Sequence, residues 1–103
     1  MQSRVNGAMK LANQGKHDEA AAEFEWLWDN MANIEPDMYG VRISLLASSI
    51  RRLIGKHQPT HLRFTHIRDR TAMLADTALA SVRVRLDWIV LNEILGEQER
   101  TLA

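Results

Sequence analysis

Apolar residues in this chain recur at intervals of three and four and rarely alternate one by one, which is the spacing of helices and not of strands. The clearest run is Ala20, Phe24, Leu27 and Met31, at i, i+4, i+7 and i+11. It forms one apolar helix face, with Glu19, Glu23 and Asn30 pointing elsewhere. This helix is expected to start at His17 or Asp18, after Gly15, with acidic residues suiting the positive end of the helix dipole. The stretch 34–37, Ile-Glu-Pro-Asp, breaks it. A third helix is expected from Asp37 as cap to about Ile54, with Tyr39, Ile43, Leu46, Ile50 and Leu53 as its stripe. Gly55 would close it in the left-handed conformation. Pro59 suits the first turn of a fourth helix carrying Leu62, Ile67, Met73 and Leu74. Asp76 is the cap expected before a fifth helix, which runs to Leu95 and ends at Gly96. The chain therefore reads as all-α.

A period is superimposed on these helices. Residues 15–24 read GKHDEAAAEF and residues 55–64 read GKHQPTHLRF. A third glycine, Gly96, follows Gly55 by 41 positions, and Leu53-Ile54 before one matches Ile94-Leu95 before the other. Arg42 and Leu45 recur as Arg83 and Leu86. A unit of helix, glycine turn and helix repeating every 40 to 41 residues is the signature of stacked helical hairpins. The units span about 1–36 and 37–76, with an incomplete third at 77–103, in a single domain.

Ala8, Gly15, Ala20, Phe24 and Leu27 resemble the small and large packing positions of a tetratricopeptide repeat. The resemblance is best over residues 8–28, fair over 41–67, and reduced to a glycine-ended helix at 82–103. Arg4 stands where that family favours tryptophan, Thr60 stands in the second unit where Ala20 stands in the first, and the spacing exceeds the family's usual repeat of about 34 residues. The resemblance implies a short α-solenoid, five helices and a C-terminal stub, whose first helices line a groove for a partner's peptide or helix. On that basis Arg42, Leu45, Ser49, Arg52, Arg83, Leu86 and Val90 are the expected groove residues, with the arginines favouring an acidic partner. The other reading of these arginines is solvated helix surface paired with acids such as Asp87.

The fifth helix is apolar on more than one face, with Leu79, Val82, Val84, Leu86, Trp88, Ile89, Val90, Leu91, Ile94 and Leu95. Such a helix expects cover on more than one side. The chain ends seven residues after Gly96, where the second helix of a third unit would form. A longer repeat protein or a second chain would supply the cover. In the second case Trp88, Leu91 and Leu95 are the expected self-association residues of a homodimer.

Composition narrows the chemistry. Hydrophobic residues are 46% and charged residues 25% of 103, enough for a folded core. There is no cysteine, which excludes disulfides, thiolate nucleophiles and thiolate metal sites. No apolar run is long enough to span a bilayer and the N-terminal residues carry no secretory pattern, so a cytoplasmic protein without a membrane role is expected. The net charge of zero conceals a basic middle: residues 41–85 hold nine basic and two acidic side chains, against three and seven in residues 1–40. Arg51, Arg52, Lys56, Arg63, Arg68 and Arg70 form a candidate phosphate-contacting strip, so nucleic-acid association is the alternative function. Only Phe64 is interleaved to stack on bases. His57 and His61 have the i, i+4 spacing of a metal pair, but Pro59 lies between them and no HExxH acid accompanies them. Isolated glycines make no phosphate-cradling loop and no signature joins a nucleophile to a base, so no enzyme activity, cofactor or small-molecule substrate is expected. The sequence points to a protein-protein interaction module or scaffold.

Overall fold

In a computed structural model, which describes residues 1–77 and 80–102, the chain folds as five helices with no strand among the described residues. Helix α1 spans Gln2–Asn13 and α2 spans His17–Ile34. The third helix, α3, is composite over 36–54: a 3-10 turn Pro36–Met38, one α-turn Tyr39–Val41, a π-helical turn Arg42–Leu46 and an α-helical end Ala47–Ile54. Helix α4 spans Gln58–Ala75, α5 spans Val82–Ile94, and a 3-10 turn Gln98–Leu102 follows. No described helix is long and apolar enough to cross a membrane.

Each helix packs on the next, α2 also packs on α4, and α3 on α5. The result measures 42 × 29 × 17 Å, so its thinnest direction is about two helices at 8–10 Å between axes. One continuous core runs through it. Ala8, Ala20 and Ala21 are fully buried and let α1 and α2 approach closely, while Phe24, Leu27, Trp28 and Met31 reach from α2 toward the later helices. Leu46, Ile50 and Leu53 from α3, Phe64 and Ile67 from α4, and Leu91 and Ile94 from α5 complete it.

Two of the three glycine turns share one geometry. Gly15 and Gly96 have φ of 77° and 72°. At the first, Gly15 N–H donates to the Ala12 carbonyl and Lys16 N–H to Leu11; at the second, Gly96 N–H donates to Glu93 and Glu97 N–H to Asn92. Both are Schellman caps, which need a residue tolerant of the left-handed region. Gly55 departs from the expectation: its φ is −67°, and the chain leaves the helix through the extended backbone of His57. No positive φ is needed there, so no left-handed cap forms.

The caps and inward faces of the helices also depart from expectation. Asp37 lies inside the opening 3-10 turn of α3 and makes no capping hydrogen bond, because the extended residue before that turn is Glu35. The stripe of α3 holds at Leu46, Ile50 and Leu53, but at the start of the π-turn Arg42 is the buried residue and Ile43 is half-buried. In α4, only Ile67 of the four expected apolar positions is in the core; Leu62, Met73 and Leu74 are exposed. The inward face begins at Thr60 and continues through Phe64, Ile67 and Arg68, a 3.6-residue pattern from which Leu62 is displaced by two positions. Ser81, not Asp76, caps α5, its hydroxyl accepting from Val84 N–H at 3.1 Å. Leu79 lies outside the described residues.

Candidate functional site

The expected groove residues separate into three environments. Arg42 is internal: Nε donates to the Trp28 carbonyl at 2.7 Å, and Nη1 and Nη2 donate to the two Asp87 carboxylate oxygens at 2.7 and 3.2 Å. Its guanidinium also lies over the Trp28 ring at 4.0 Å. Each of its three guanidinium nitrogens makes one bond that holds α2, α3 and α5 together, and the residue is buried. Tyr39 completes the cluster by donating its hydroxyl to Asp87 Oδ1 at 3.0 Å, and burial together with that bond pushes its phenol up to about 12. Arg83 is exposed and stacks on the outer face of Tyr39 at 4.3 Å. Ser49 and Val90 are buried, Leu86 is half-buried, and Leu45 and Arg52 are exposed. Of the whole set, Ser49 and Arg52 come together beside Met9 and Ala12, around a small cavity between α1 and α3.

The self-association residues also divide. Leu91 and Leu95 are 0% and 8% exposed and belong to the core, because α3 and α4 both pack against α5 and cover that side. Trp88 is half-buried and faces a separate groove between α4, α5 and the C-terminal turn. Ala72, Met73, Ala75, Trp88 and Ile89 line this groove, and Asp76, Arg85, Arg100 and Thr101 stand around it; its volume is about 670 Å³. Met73 is 77% exposed, with Leu74 and Val82 exposed nearby in sequence. The sequence pattern counts Met73 only as one of the apolar positions of α4. The available signal was the conflict between two faces of α4, since Phe64 and Met73 are nine apart and cannot share one.

A polar network fixes the far wall of the groove. Arg68, 2% exposed, donates from Nη1 to Asn92 Oδ1 at 3.2 Å, and the same nitrogen lies 3.4 Å from Glu97. Asn92 in turn donates to the Thr101 hydroxyl at 3.1 Å. Glu97 pairs with Arg100 at 2.6 Å, and that hydrogen bond holds the Glu97 carboxyl below its ordinary range, with Arg68 adding to it. These contacts bring the turn Gln98–Leu102 back onto α5.

The basic strip is partly neutralised. Arg63 pairs with Glu25, Arg70 with Asp29 at 3.1 Å, and Arg68 is consumed as described. Burial raises the Asp29 carboxyl despite the Arg70 partner beside it. The histidines form turn contacts: His57 Nδ1 shares a 2.7 Å hydrogen bond with Thr60, its Nε2 lies 3.0 Å from Asp18, and its ring meets His17 edge to face. His61 Nδ1 is buried without a hydrogen-bond partner among the described residues. No group of three or more potential metal ligands occurs among the described residues. Trp26, half-buried, carries the Arg4 guanidinium over its ring at 3.5 Å. No protein-family model matches the chain, and neither a curated protein nor a solved structure matches it.

Proposed function

We propose that the chain is a protein-interaction module, a short array of tetratricopeptide-like hairpins, and that its docking face is the groove between α4, α5 and the C-terminal turn. The observation that carries this is the coincidence of exposed Met73 with half-buried Trp88 and Ile89 around one apolar groove. Aromatic and methionine side chains in a desolvated depression are favoured anchors of partner recognition. A groove bounded by two helices suits a third helix laid into it by its apolar face. Arg85 has no acidic partner within ion-pair distance among the described residues, whereas Arg100 at the same edge is paired with Glu97 and Asp76 stands at the rim, so Arg85 is the cation that an acidic residue of the occupant would meet. The occupant is therefore an amphipathic helix of a partner protein with acidic residues flanking its apolar stripe. Neutralisation of Arg63, Arg68 and Arg70 by acids leaves the nucleic-acid alternative with less of its strip.

Capture of a partner by the wild-type chain, followed by the same capture with Met73→Glu and Arg85→Glu, tests the assignment. Both substitutions should reduce retention at least tenfold, whereas Ile34→Glu, at another exposed apolar position, should leave it unchanged. Equal retention by Met73→Glu and Ile34→Glu would place the docking face elsewhere. A concentration-dependent dimer in light scattering, abolished by Met73→Glu, would make a second copy the occupant and overturn the partner-helix reading.

A further inference from the structure

The cavity between α1 and α3 differs in character from the docking groove. Its volume is about 200 Å³, and Met9, Ala12, Phe24 and Leu53 form its apolar lining. Asn13, Ser49, Arg52 and Lys56 supply its polar lining. Most arginines that α3 and α4 contribute are already paired with carboxylates: Arg42 with Asp87, Arg63 with Glu25, Arg68 with Asp69 and Glu97, Arg70 with Asp29. Neither Arg52 nor Lys56 has an acidic group within ion-pair distance among the described residues. The two cations thus share a cavity that contains no acid.

Arg52 is also held toward this cavity. Its Nη2 donates to the Ser49 hydroxyl at 3.4 Å, and that hydroxyl is fixed by donating to the Leu45 carbonyl at 3.1 Å. Ser49 is 5% exposed, so the anchor is an internal one. Nor are these cations needed by the nearby carbonyls of Leu11, Ala12, Arg51 and Leu53. Gly15 and Lys16 N–H groups already satisfy Ala12 and Leu11, and Gly55 and Lys56 N–H groups satisfy Arg51 and Leu53. The remaining donors of Arg52, the Lys56 ammonium and the Asn13 amide have no partner among the described residues and can meet a ligand that brings only acceptors.

We propose that this cavity binds a small aliphatic monocarboxylate. A guanidinium offers two parallel N–H donors that match the two oxygens of a carboxylate, and a neighbouring ammonium adds charge without demanding geometry. Met9 and Ala12 give an alkyl chain a surface to cover, which a compact inorganic anion such as phosphate would leave unused. At roughly 30 Å³ per displaced water, the volume equals about six or seven waters, which suits an acid of about four to six carbons.

Titration of the nitrogen-15-labelled chain with sodium hexanoate, followed by amide chemical shifts, is the test. Saturable shifts are expected at Asn13, Ser49 and Leu53, with a dissociation constant on the order of a millimolar or below. Hexanamide, which keeps the chain but not the charge, and acetate, which keeps the charge but not the chain, should each bind about tenfold or more weakly. Arg52→Gln and Lys56→Gln remove exposed side chains outside the core, so the fold survives them, checked by circular dichroism; each should weaken hexanoate similarly. Absence of saturation at tens of millimolar overturns the proposal. So does equal binding of hexanamide or acetate, or undiminished binding by Arg52→Gln.

Discussion

Tyr39 is the chain's one tyrosine, so its ionisation can be followed by ultraviolet absorbance without interference. Burial first, and the hydrogen bond to Asp87 second, raise it from 10.0 to about 12. The neutral phenol is the favoured native form, so its contribution to stability is complete below pH 10 and is lost as pH rises from 10 toward 12. Asp87→Asn should lower the observed midpoint only in part, since burial is the larger cause; a wild-type midpoint at 10 would show that the cluster is open in solution. The glycines provide a second residue-scale test. Gly15→Ala and Gly96→Ala should each cost about 1–2 kcal/mol in denaturant unfolding, because an added Cβ meets no neighbour and the whole penalty is the left-handed backbone. Gly55→Ala, at φ −67° with its Cβ at an ordinary 3.5 Å from the Arg52 carbonyl, should be neutral or stabilise by about 0.5 kcal/mol. The three glycines look equivalent in the sequence, and only hydrogen-bonding partners beyond each helix end distinguish them.

At the scale of the element, α4 carries a choice of face that its own sequence leaves open. Phe64→Ala should cost about 3–5 kcal/mol, while Leu62→Ala, half-exposed on the other side, should change stability by less than about 0.5 kcal/mol. Similar losses at both positions would mean that the helix is rotated in solution. Helix α3 depends on a partner far along the chain. Arg42 and Asp87 are both mostly buried, so Asp87→Ala strands a cation and should destabilise by about 3–5 kcal/mol. Arg42→Met combined with Asp87→Leu should recover most of that loss, because the cost lies in the unpaired charge and not in the missing bond. The i, i+4 pattern around Ile43 could not reveal this arrangement: 45 residues separate the two partners, and the π-turn that opens at Arg42 has no periodic signature.

For the whole molecule, the C-terminal turn is tied down by a network of polar contacts. Arg68, Asn92, Thr101, Glu97 and Arg100 form one connected set across α4, α5 and that turn. The Glu97 carboxyl is lowered below 4.5 by the Arg100 hydrogen bond, then by Arg68. Its stabilising contribution is therefore present above pH 4.5 and is lost as pH falls through the lowered native value. Hydrogen exchange in mild acid should show the turn at Gln98–Leu102 losing protection before the α1–α2 hairpin does, and Glu97→Gln should remove the pH dependence of that early step. Undocking of the turn also removes Arg100 and Thr101 from the groove, so partner binding should weaken over the same pH range.

The sequence by itself determined the number of helices, the core face of α2 and the two turns at Gly15 and Gly96. Each of these follows from steric and solvation preferences acting within about a dozen residues. Tertiary structure decided that Arg42 is a buried tie, that Leu91 and Leu95 are internal, and that Met73 and Trp88 meet across a groove. It also brought Arg52 and Lys56 to a cavity shared with Asn13. Those outcomes depend on which helix faces which, and a side chain that is apolar or charged at one position has no local property that states who its distant neighbour will be.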